Sequence, residues 1–443
     1  MEEIVNYTPS QEDIQNVKEI QDFLEETNIP YETDETFGVF HINDRQIQLR
    51  YIDSFYHRMD NSKRFGESCR GIKHTYFIDI SHENLLKGIR TIWIFDFEMK
   101  QHNTIIDENG NEVQFRRQWE VIKNTIRTAT RHIQHRFYAR DCEVQVISNA
   151  ELRNFLEKNC FYGYRSSNVN LGLVLKKDKN GFKKGTLMMV YTFGYNFYGN
   201  KNRQDNPFIE IVRVSTRLGC QVIGGASKCL THFFENYPTL HIGDRYVDVK
   251  ELKFYVDASH NDSRAMHSLG FKCTSWEGCG FMNCWLQDFD DELYSLHGKK
   301  GQIFQRKPQI HKRIMELIRD GVIASIANAG TAVFSTTKDE FLTYMHASDE
   351  EKQKILEHTP SLLNVVKQTF KDKEQKEEEI RLKAQLKAEK ERLKEERRIE
   401  RERLKIERQR KKEEMERLKE QRRIEREMKK AQKENMKAIS SKN

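Results

Sequence analysis

The sequence predicts an α/β (α+β) fold that is followed by one long, charged C-terminal helix, and three observations predict it. Apolar, β-branched segments of strand length alternate with amphipathic segments of helix length as far as about residue 335. Turn dipeptides such as Asn180-Gly181 separate some of the strand segments, which is typical of antiparallel hairpins. From about Lys371 onward Glu, Lys, Arg and Gln dominate the sequence, which favours a charged helix.

Composition limits the function classes. The length of 443 residues favours two or three domains. The residues are 37% hydrophobic and 32% charged, and the net charge of +7 favours a polyanionic partner such as DNA. The start, MEEIVNYTPSQEDIQ, is acidic and polar, and no apolar run reaches membrane-spanning length. The eight cysteines include no CxxC pair, which indicates a reducing environment. We therefore expect a cytoplasmic protein without a membrane partner.

The first predicted domain covers residues 1–138. Apolar residues from Ile14 to Phe23 have helical spacing and predict a helix over residues 11–28. Two short strands with a turn at Asn43-Asp44 come next. A helix that ends at Gly88 leads to a strand rich in Ile, Trp and Phe, and residues 114–137 predict a basic amphipathic helix.

The second predicted domain covers residues 139–335. It starts with a strand over residues 142–147 and a helix over residues 149–159, and a hairpin that turns at Asn180-Gly181 follows. The later predicted elements are a strand over residues 208–215, a glycine loop, a helix to Tyr237, a strand over residues 249–259, a short helix and a closing strand over residues 280–287.

Residues 336–371 predict a helical linker, and residues 372–443 predict a long charged helix. ERLKEERRIERE nearly recurs as ERLKEQRRIERE, and Leu382, Leu393, Leu404 and Met415 are eleven residues apart. This spacing gives a nearly straight apolar stripe rather than a heptad seam, on a rod of about 100 Å. Two interpretations stay open: a solvated single helix, or a helix that self-associates as a weak coiled coil or lies on nucleic acid.

The junction QVIGGASK raises a specific question, because two adjacent glycines follow a strand and precede a helix. Residues Gln221, Val222, Gly224, Gly225 and Ala226 fit the pattern Gln/Arg-x-x-Gly-x-Gly/Ala. Main-chain N–H groups from Gly224 to Ser227 at a helix start suit a pyrophosphate, and Lys228 would add a cation. On spacing alone, a tight turn without a ligand is an equally good interpretation.

A second segment, FYVDASHNDSRAMHSLGF at residues 254–271, points in the same direction. In this order and spacing, the loop and the segment resemble the GNAT acyltransferase family over about residues 140–335. The resemblance implies that the loop amides bind the pyrophosphate of acetyl-CoA or a related acyl donor, and that Asn261 lies beside the pantetheine. His267 stands where that family usually has a tyrosine that acts as general acid. The alternative for His267 is a packing or surface histidine.

A narrower resemblance concerns phage proteins. NPFIEIVRVSTRLGCQVIGGASKCLTHF and the later ELKFYVDASHND resemble the phage-encoded Mom type of GNAT-like protein, and the C-terminal domain of phage homing-endonuclease-like proteins. It implies functional roles for Glu210, Arg213 and Asp257, and a target in DNA, since Mom-type proteins modify adenine. Many such proteins have histidine where Cys160 stands. The alternative for Glu210 and Arg213 is a structural ion pair.

Residues 30–105 resemble the PD-(D/E)XK nucleases of the very-short-patch-repair type, but the expected metal ligands are missing. Arg50 stands at the glutamate position and Ile80 at the lysine position. A rearranged metal site is the alternative, from Asp53, His57, Asp79, His82, Asp96 and Glu98. A degenerate module of this kind can still bind DNA through basic residues, for which the candidates are Arg64, Arg70, Lys73, Arg116, Arg117 and Arg127.

A zinc site is conceivable at Cys273, Cys279 and Cys284, near His260 and His267. Their spacing is looser than zinc sites favour, so we expect these cysteines in the core and no metal site.

Three functions are compatible with these patterns. The first is a DNA-directed transferase that moves an acyl-type group from a CoA-like donor to an amine such as that of a DNA base. The second is a homing-type endonuclease with a drifted metal site. The third is a non-catalytic DNA-binding or scaffold protein in which the long helix is the main working part.

Overall fold

A computed structural model describes residues 8–53, 73–100, 102–106, 110–195, 208–242, 245–261, 264–278, 281–285 and 323–440. It confirms the mixed α/β class, with a seven-stranded sheet and a long C-terminal helix. Met1–Gln368 and Thr369–Asn443 form two compact units, and each is described by itself. Among the described residues, no helix is both long enough and apolar enough to cross a membrane.

A four-stranded sheet lies near the N-terminus. Helix α1 (Gln11–Glu26) begins at a capping box formed by Ser10 and Asp13, which satisfies main-chain donors of its first turn. The strands β1 (Tyr31–Thr33), β2 (Val39–Ile42) and β3 (Ile47–Ile52) pair antiparallel in chain order. Helix α2 (Tyr76–Leu86) then leads to β4 (Arg90–Phe95), which is parallel to β3 and continues directly into α3 (Asp96–Lys100).

The predicted basic helix over residues 114–137 is wrong at both ends. Strands β5 (Asn103–Ile106) and β6 (Glu112–Phe115) form a hairpin, so helix α4 covers only Arg117–Ala129. Arg131 has a φ of 64°, a left-handed conformation that does not continue a helix. Residues His135–Tyr138 form strand β7, whose main-chain groups pair with a distant strand rather than within a helix.

The large sheet contains β8 (Cys142–Val146), β9 (Val169–Leu175), β10 (Leu187–Tyr195), β11 (Ile209–Thr216), β15 (Glu251–Asp257), β16 (Lys272–Glu277) and β19 (Thr331–Thr337). Its order is β16-β19-β15-β11-β10-β9-β8, and β11 with β15 is its parallel pair. The smaller pairs are β7 with β12 (Cys220–Ile223), β13 (Thr239–Ile242) with β14 (Arg245–Asp248), and β17 (Phe281–Trp285) with β18 (Ile323–Ala327).

Helices cover both faces of this sheet. Helix α5 (Asn149–Asn159) packs Leu152 and Leu156 against Val190 of β10. Helix α6 (Gly225–Asn236) packs on the opposite face, where the rings of Phe233 and Phe193 stack with their centroids 3.7 Å apart. The hydrophobic core is therefore divided by the sheet, as the two side-chain faces of a strand require.

The two regions separated at residue 138 in the sequence pack together within the first unit. The amide of Trp93 in β4 donates to the carbonyl of Ser259 at 2.8 Å. The carboxylate of Glu157 in α5 pairs with the guanidinium of Arg117 in α4. Residues from both sides of the predicted boundary near Ala139 consequently share contacts.

The predicted linker is part of the core. Helices α7 (Arg264–His267), α8 (Lys338–His346) and α9 (Asp349–His358) come after β15 and β19. Phe341 of α8 is fully buried, and its ring centroid lies 5.3 Å from that of Phe234. A chain that ends at Thr336 would lose this packing, whereas one that ends at Gln368 keeps it. A test of the long helix should therefore use the second end point.

Helix α10 covers Leu362–Ser440, and its residues from Thr369 onward belong to the second unit. Ion pairs at i,i+4 spacing occur along it, including Lys383–Glu379 at 3.5 Å and Lys411–Glu407 at 2.8 Å. Such pairs stabilise a helix by about 0.2–0.5 kcal/mol each. The long helix is confirmed, and its self-association stays a prediction.

Candidate functional site

The glycine junction has a structural reason for each glycine. Gly224 has a φ of 74°, a left-handed conformation that favours glycine. A Cβ atom on Gly225 would lie 2.9 Å from Leu173 Cδ1 and 2.9 Å from Met189 Sδ. Gly225 therefore allows the first turn of α6 to pack directly on the sheet. The tight-turn interpretation accounts for both glycines, but it leaves open what the main-chain amides do.

Those amides have no acceptor among the described residues. The amide of Lys228 donates to the carbonyl of Gly224 at 3.1 Å as the first helical hydrogen bond, and no side chain caps α6. The described hydrogen bonds leave the N–H groups of Gly225, Ala226 and Ser227 unused. Gly225 is buried, Gly224 is exposed, and Ala226 and Ser227 are half-buried, so the amides of Ala226 and Ser227 are the ones nearer the surface. The start of α6 is thus an electropositive end with available donors, which suits an anion.

Lys228 does not have the position that a phosphate ligand requires. Its Nζ donates to the carbonyl oxygens of Ala139 at 2.9 Å and Cys142 at 2.6 Å. This corrects the predicted direct contact, because the amino group already holds the 139–142 turn against α6. Gln221 and Val222 lie in β12 opposite Arg136 and Phe137, and the side chain of Val222 belongs to the core, so it is not available to a ligand.

Parallel strands β11 and β15 pair only at their beginnings. The register contains Ile209 with Leu252 and Glu210 with Lys253, and beyond these residues the two strands are not paired with each other. A parallel ladder that stops leaves main-chain donors and acceptors facing a gap between the strands. The end of β11 leads through β12 to the start of α6. Only the short strand β12 therefore separates the unpaired end of β11 from the available amides in the sequence.

A β-bulge in β11 sets which face of the sheet its side chains occupy. Thr192 of β10 lies opposite Arg213, but the next residue, Phe193, lies opposite Ile211, so Val212 is the extra residue. Alternation along a regular strand would place Glu210 and Arg213 on opposite faces. Because of the bulge, both lie on the face opposite to Ile211 and α6.

Arg213 contacts the segment that follows α5. Its Nε donates to the carbonyl of Gly163 at 3.1 Å, its Nη1 donates to the carbonyl of Val212 at 2.8 Å, and its Cζ lies 5.7 Å from the centroid of the Tyr162 ring. The described ion pairs do not include one between Glu210 and Arg213, so the contacts do not support the structural-pair interpretation. Burial raises the pKa of Glu210, although the charges of Arg165 and Arg213 oppose this rise.

Asp257, at the end of β15, is the centre of a polar cluster. Its Oδ1 accepts a hydrogen bond from the amide of Ser259 at 2.9 Å, and its Oδ2 accepts one from the hydroxyl of Tyr162. His260 Nδ1 lies 3.7 Å from Asp257 Oδ2. Burial alone would raise the pKa of Asp257, but the contacts with His260, Tyr162 and the Ser259 amide lower it to about 2. Asp257 is therefore a carboxylate at neutral pH.

The sequence did not identify the rest of this cluster. His260 Nε2 lies 3.1 Å from Glu98 Oε1, and Glu98 is fully buried in α3. Burial would lower the pKa of His260, but the charges of Glu98 and Asp257 raise it to about 10. Burial raises the pKa of Glu98. Sequence reasoning considered Glu98 only as a metal ligand, and no local pattern connects residue 98 with residues 162 and 260.

Asn261 and His267 follow Asp257 in the chain, Asn261 in the loop after β15 and His267 at the end of α7. His267 Nε2 lies 3.0 Å from the carbonyl of Thr359, so this ring nitrogen carries the proton and donates to that carbonyl. The contact favours the packing interpretation over the predicted general acid. Asn261 is exposed, and its main-chain N–H donates to the main-chain carbonyl of Asp257 at 3.3 Å. Its predicted place beside pantetheine stays a prediction.

The described residues do not form either of the metal sites considered from the sequence, the rearranged nuclease site or the zinc site. Arg50 lies with its Cζ 5.3 Å from the centroid of the Trp93 ring, and Ile80 is buried in the core. Cys273 is also buried there. Among the described residues, no group of three or more His, Cys, Asp or Glu side chains is placed to hold a metal ion. His57 and the side chains of Cys279 and Cys284 lie outside the described residues.

The predicted DNA contact is wrong for Arg117, which is buried, and stays a prediction for Arg116 and Arg127. Arg116 pairs with Glu19 at 2.5 Å. Arg117 is 2% exposed and pairs with Glu157, so it does not reach the surface. Arg127 is half-buried, with its Cζ 4.9 Å from the centroid of the Phe23 ring. Lys73 is exposed, and Arg64 and Arg70 lie outside the described residues.

A different basic surface is formed by the loop between β9 and β10, which we call the lysine loop (residues 176–185). Its exposed lysines are Lys176, Lys177, Lys183 and Lys184. Asn180 and Gly181 have φ values of 51° and 82° and make the predicted turn. The loop is held against β7, because Asn180 Nδ2 donates to the carbonyl of Arg136 at 3.2 Å. Sequence reasoning used this segment only as a hairpin.

Comparison with models of known protein families gives no match for this chain. A search of curated proteins also gives no significant match. The family resemblances stay predictions.

Proposed function

We propose that this protein is a transferase that moves an acyl-type group from a CoA-like donor to an amine, with a DNA base as the acceptor. One observation carries the proposal: β11, the strand that diverges from β15, leads through the short strand β12 to the available amides at the start of α6. Phosphate oxygens suit those amides and the positive end of the helix dipole. The diverging strands offer main-chain partners to an extended arm such as pantetheine.

The polar cluster supplies the chemistry on the other face of the sheet. In the proposed step the amine nitrogen forms a bond to the acyl carbon, the carbon–sulfur bond breaks, and the thiol leaves with a proton. The nitrogen gains positive charge during attack, and the Asp257 carboxylate stabilises that charge. A pKa of about 2 makes Asp257 a weak base at neutral pH, so electrostatic stabilisation is the better role for it. Tyr162, which is 40% exposed, is the member of the cluster that an acceptor can contact.

The direct test is calorimetric titration of the full chain with acetyl-CoA and with CoA, followed by incubation with donor and double-stranded DNA. We expect saturable heat with both ligands, and release of free thiol that depends on DNA. Mass spectrometry of the digested nucleosides then identifies the modified base. Absence of heat with either ligand would contradict donor binding, and heat without DNA-dependent thiol release would contradict DNA as the acceptor.

The DNA part of the proposal predicts the effect of reversing the charge of the lysine loop. Changing Lys176, Lys177, Lys183 and Lys184 to glutamate removes four exposed cations, so DNA affinity should fall at least about tenfold at 0.1 M salt. The slope of log K against log salt should decrease by about 0.9 for each phosphate that the variant no longer neutralises. Fluorescence anisotropy with a labelled duplex measures both quantities.

The matched control changes lysines of α10 that lie outside the lysine loop. Lys387, Lys390, Lys405 and Lys412, which are also exposed, are changed to glutamate. Equal loss of affinity in the two variants would show that the lysine loop is no more important for DNA binding than the lysines of α10. An unchanged affinity in the loop variant would assign DNA to another surface, such as α10.

A further inference from the structure

Among the acidic side chains that the structure describes, Glu98 is the most deeply buried. It is fully buried, and its Oε2 accepts a hydrogen bond from the amide of Phe95 at 3.0 Å. Removing a carboxylate from water is costly unless charge and hydrogen bonds compensate for it. The compensating charge comes from His260, whose Nε2 lies 3.2 Å from Oε2 and 3.1 Å from Oε1.

His260 is placed between two carboxylates. Its Nε2 faces Glu98 and its Nδ1 faces Asp257. The ring of Phe161 packs against it at a centroid distance of 4.5 Å, and its carbonyl accepts from Arg90 Nη2 at 3.2 Å. Nε2 is within hydrogen-bond distance of Glu98, whereas Nδ1, at 3.7 Å from Asp257, makes an electrostatic contact, and the negative charges on both sides of the ring favour the imidazolium form.

The contacts continue from His260 to the surface. Asp257 accepts the hydroxyl hydrogen of Tyr162, and the centroid of the Tyr162 ring lies 5.7 Å from Cζ of Arg213 in β11. A series of contacts thus connects α3, which lies before the predicted boundary at residue 138, to the proposed acceptor side. A structural ion pair has no need of a connection to an exposed hydroxyl.

We propose that Glu98 and His260 are positioning residues of the transfer site, which hold the Asp257 carboxylate in place for the acceptor. This inference rests on the proposed transferase function. It assigns the N-terminal region a part in the site, because α3 supplies the buried charge that keeps His260 between the two carboxylates. Neither residue contacts the reacting atoms.

The first experiment is independent of transfer. Histidine labelled with ¹³C at Cε1 is incorporated into the full chain, and the signal absent from the His260→Gln variant is assigned to His260. We expect this signal to stay in the protonated position from pH 6 to at least pH 8. In Glu98→Gln, the midpoint of its titration should fall by more than one pH unit, because one of the two carboxylates that face the ring is neutral. A midpoint near 6.5 in the unmodified protein would overturn the inference.

The second experiment separates positioning from structure. We expect Glu98→Gln to lower the DNA-dependent transfer rate about 10- to 100-fold, while the dissociation constant for acetyl-CoA changes less than twofold. The control is Glu112→Gln, which removes an exposed carboxylate from β6 and should change neither quantity. Equal losses of rate and donor affinity would indicate a structural role and overturn the inference. An unmodified protein that has no transfer activity would refute the proposed function, whereas the histidine titration would still report on the contacts.

Discussion

Replacement of Asp257 by asparagine is expected to slow DNA-dependent transfer about 10²–10³-fold, with little change in donor affinity. Asparagine keeps one oxygen, which can accept from the Ser259 amide, and its Nδ2 can donate to the hydroxyl oxygen of Tyr162, so the fold should persist. It removes the negative charge that stabilises the amine as it becomes cationic. Initial rates of free-thiol release at saturating acetyl-CoA measure the effect, and calorimetry measures the affinity.

The control for this prediction is Asp248→Asn. Asp248 is an exposed carboxylate in β14 that pairs with Lys250 at 3.3 Å, and its loss should leave the rate unchanged. Asp257 variants that keep at least half of the rate would show that the carboxylate has no part in the reaction. If donor affinity fell together with the rate, Asp257 would belong to the donor site.

The same variant should change how stability depends on acid. The pKa of Asp257 is about 2 in the folded chain and about 3.9 in an unfolded chain. A lowered pKa stabilises the folded state above the unfolded value, and this contribution is lost as the pH falls from about 4 towards 2. Urea unfolding of the native protein should therefore show a steeper loss of stability over this range than Asp257→Asn shows, because other carboxylates with lowered pKa values, such as Asp34 and Asp141, are the same in both proteins.

The sequence predicted the elements that depend on local patterns. The hairpin turn at Asn180-Gly181, helix α5 and the long helix α10 all follow from residues next to each other in the chain. Strand β7 was missed because its pairing partner, β12, is distant in the sequence. The local sequence there continues a helical pattern, and tertiary pairing overrides it.

The candidate site was predictable in part, for the same reason. Gly224, Gly225 and Asp257 lie in recognisable segments, so sequence reasoning found them. The bulge at Val212 is a property of the pairing of β11 with β10, and it alone brings Glu210 and Arg213 to one face. The contact of Glu98 with His260 joins residues from opposite sides of the predicted domain boundary, and spacing within one segment cannot indicate such a contact.

Replacement of Ser227 by glutamate is expected to weaken acetyl-CoA binding at least about tenfold, which corresponds to about 1.4 kcal/mol. Ser227 is in the first turn of α6, beside the unused amides, and its Oγ donates to the carbonyl of Gly224 at 2.9 Å. A carboxylate at this position repels the donor's pyrophosphate and competes with it for the amides. The matched control is Ser227→Gln, which has the same shape without charge and should bind within about threefold of the unmodified protein.

The thermal stability of Ser227→Glu distinguishes lost binding from lost structure. The new charge should weaken acetyl-CoA binding, but it should stabilise helix α6. A negative charge in the first turn interacts favourably with the helix dipole and stabilises a helix by about 0.3–1 kcal/mol. Ser227→Glu should therefore unfold at the same temperature as the unmodified protein or slightly higher, even though it binds donor poorly. If it bound acetyl-CoA as tightly as Ser227→Gln does, phosphate would not lie at the start of α6. In that case the diverging strands alone would have to account for donor binding.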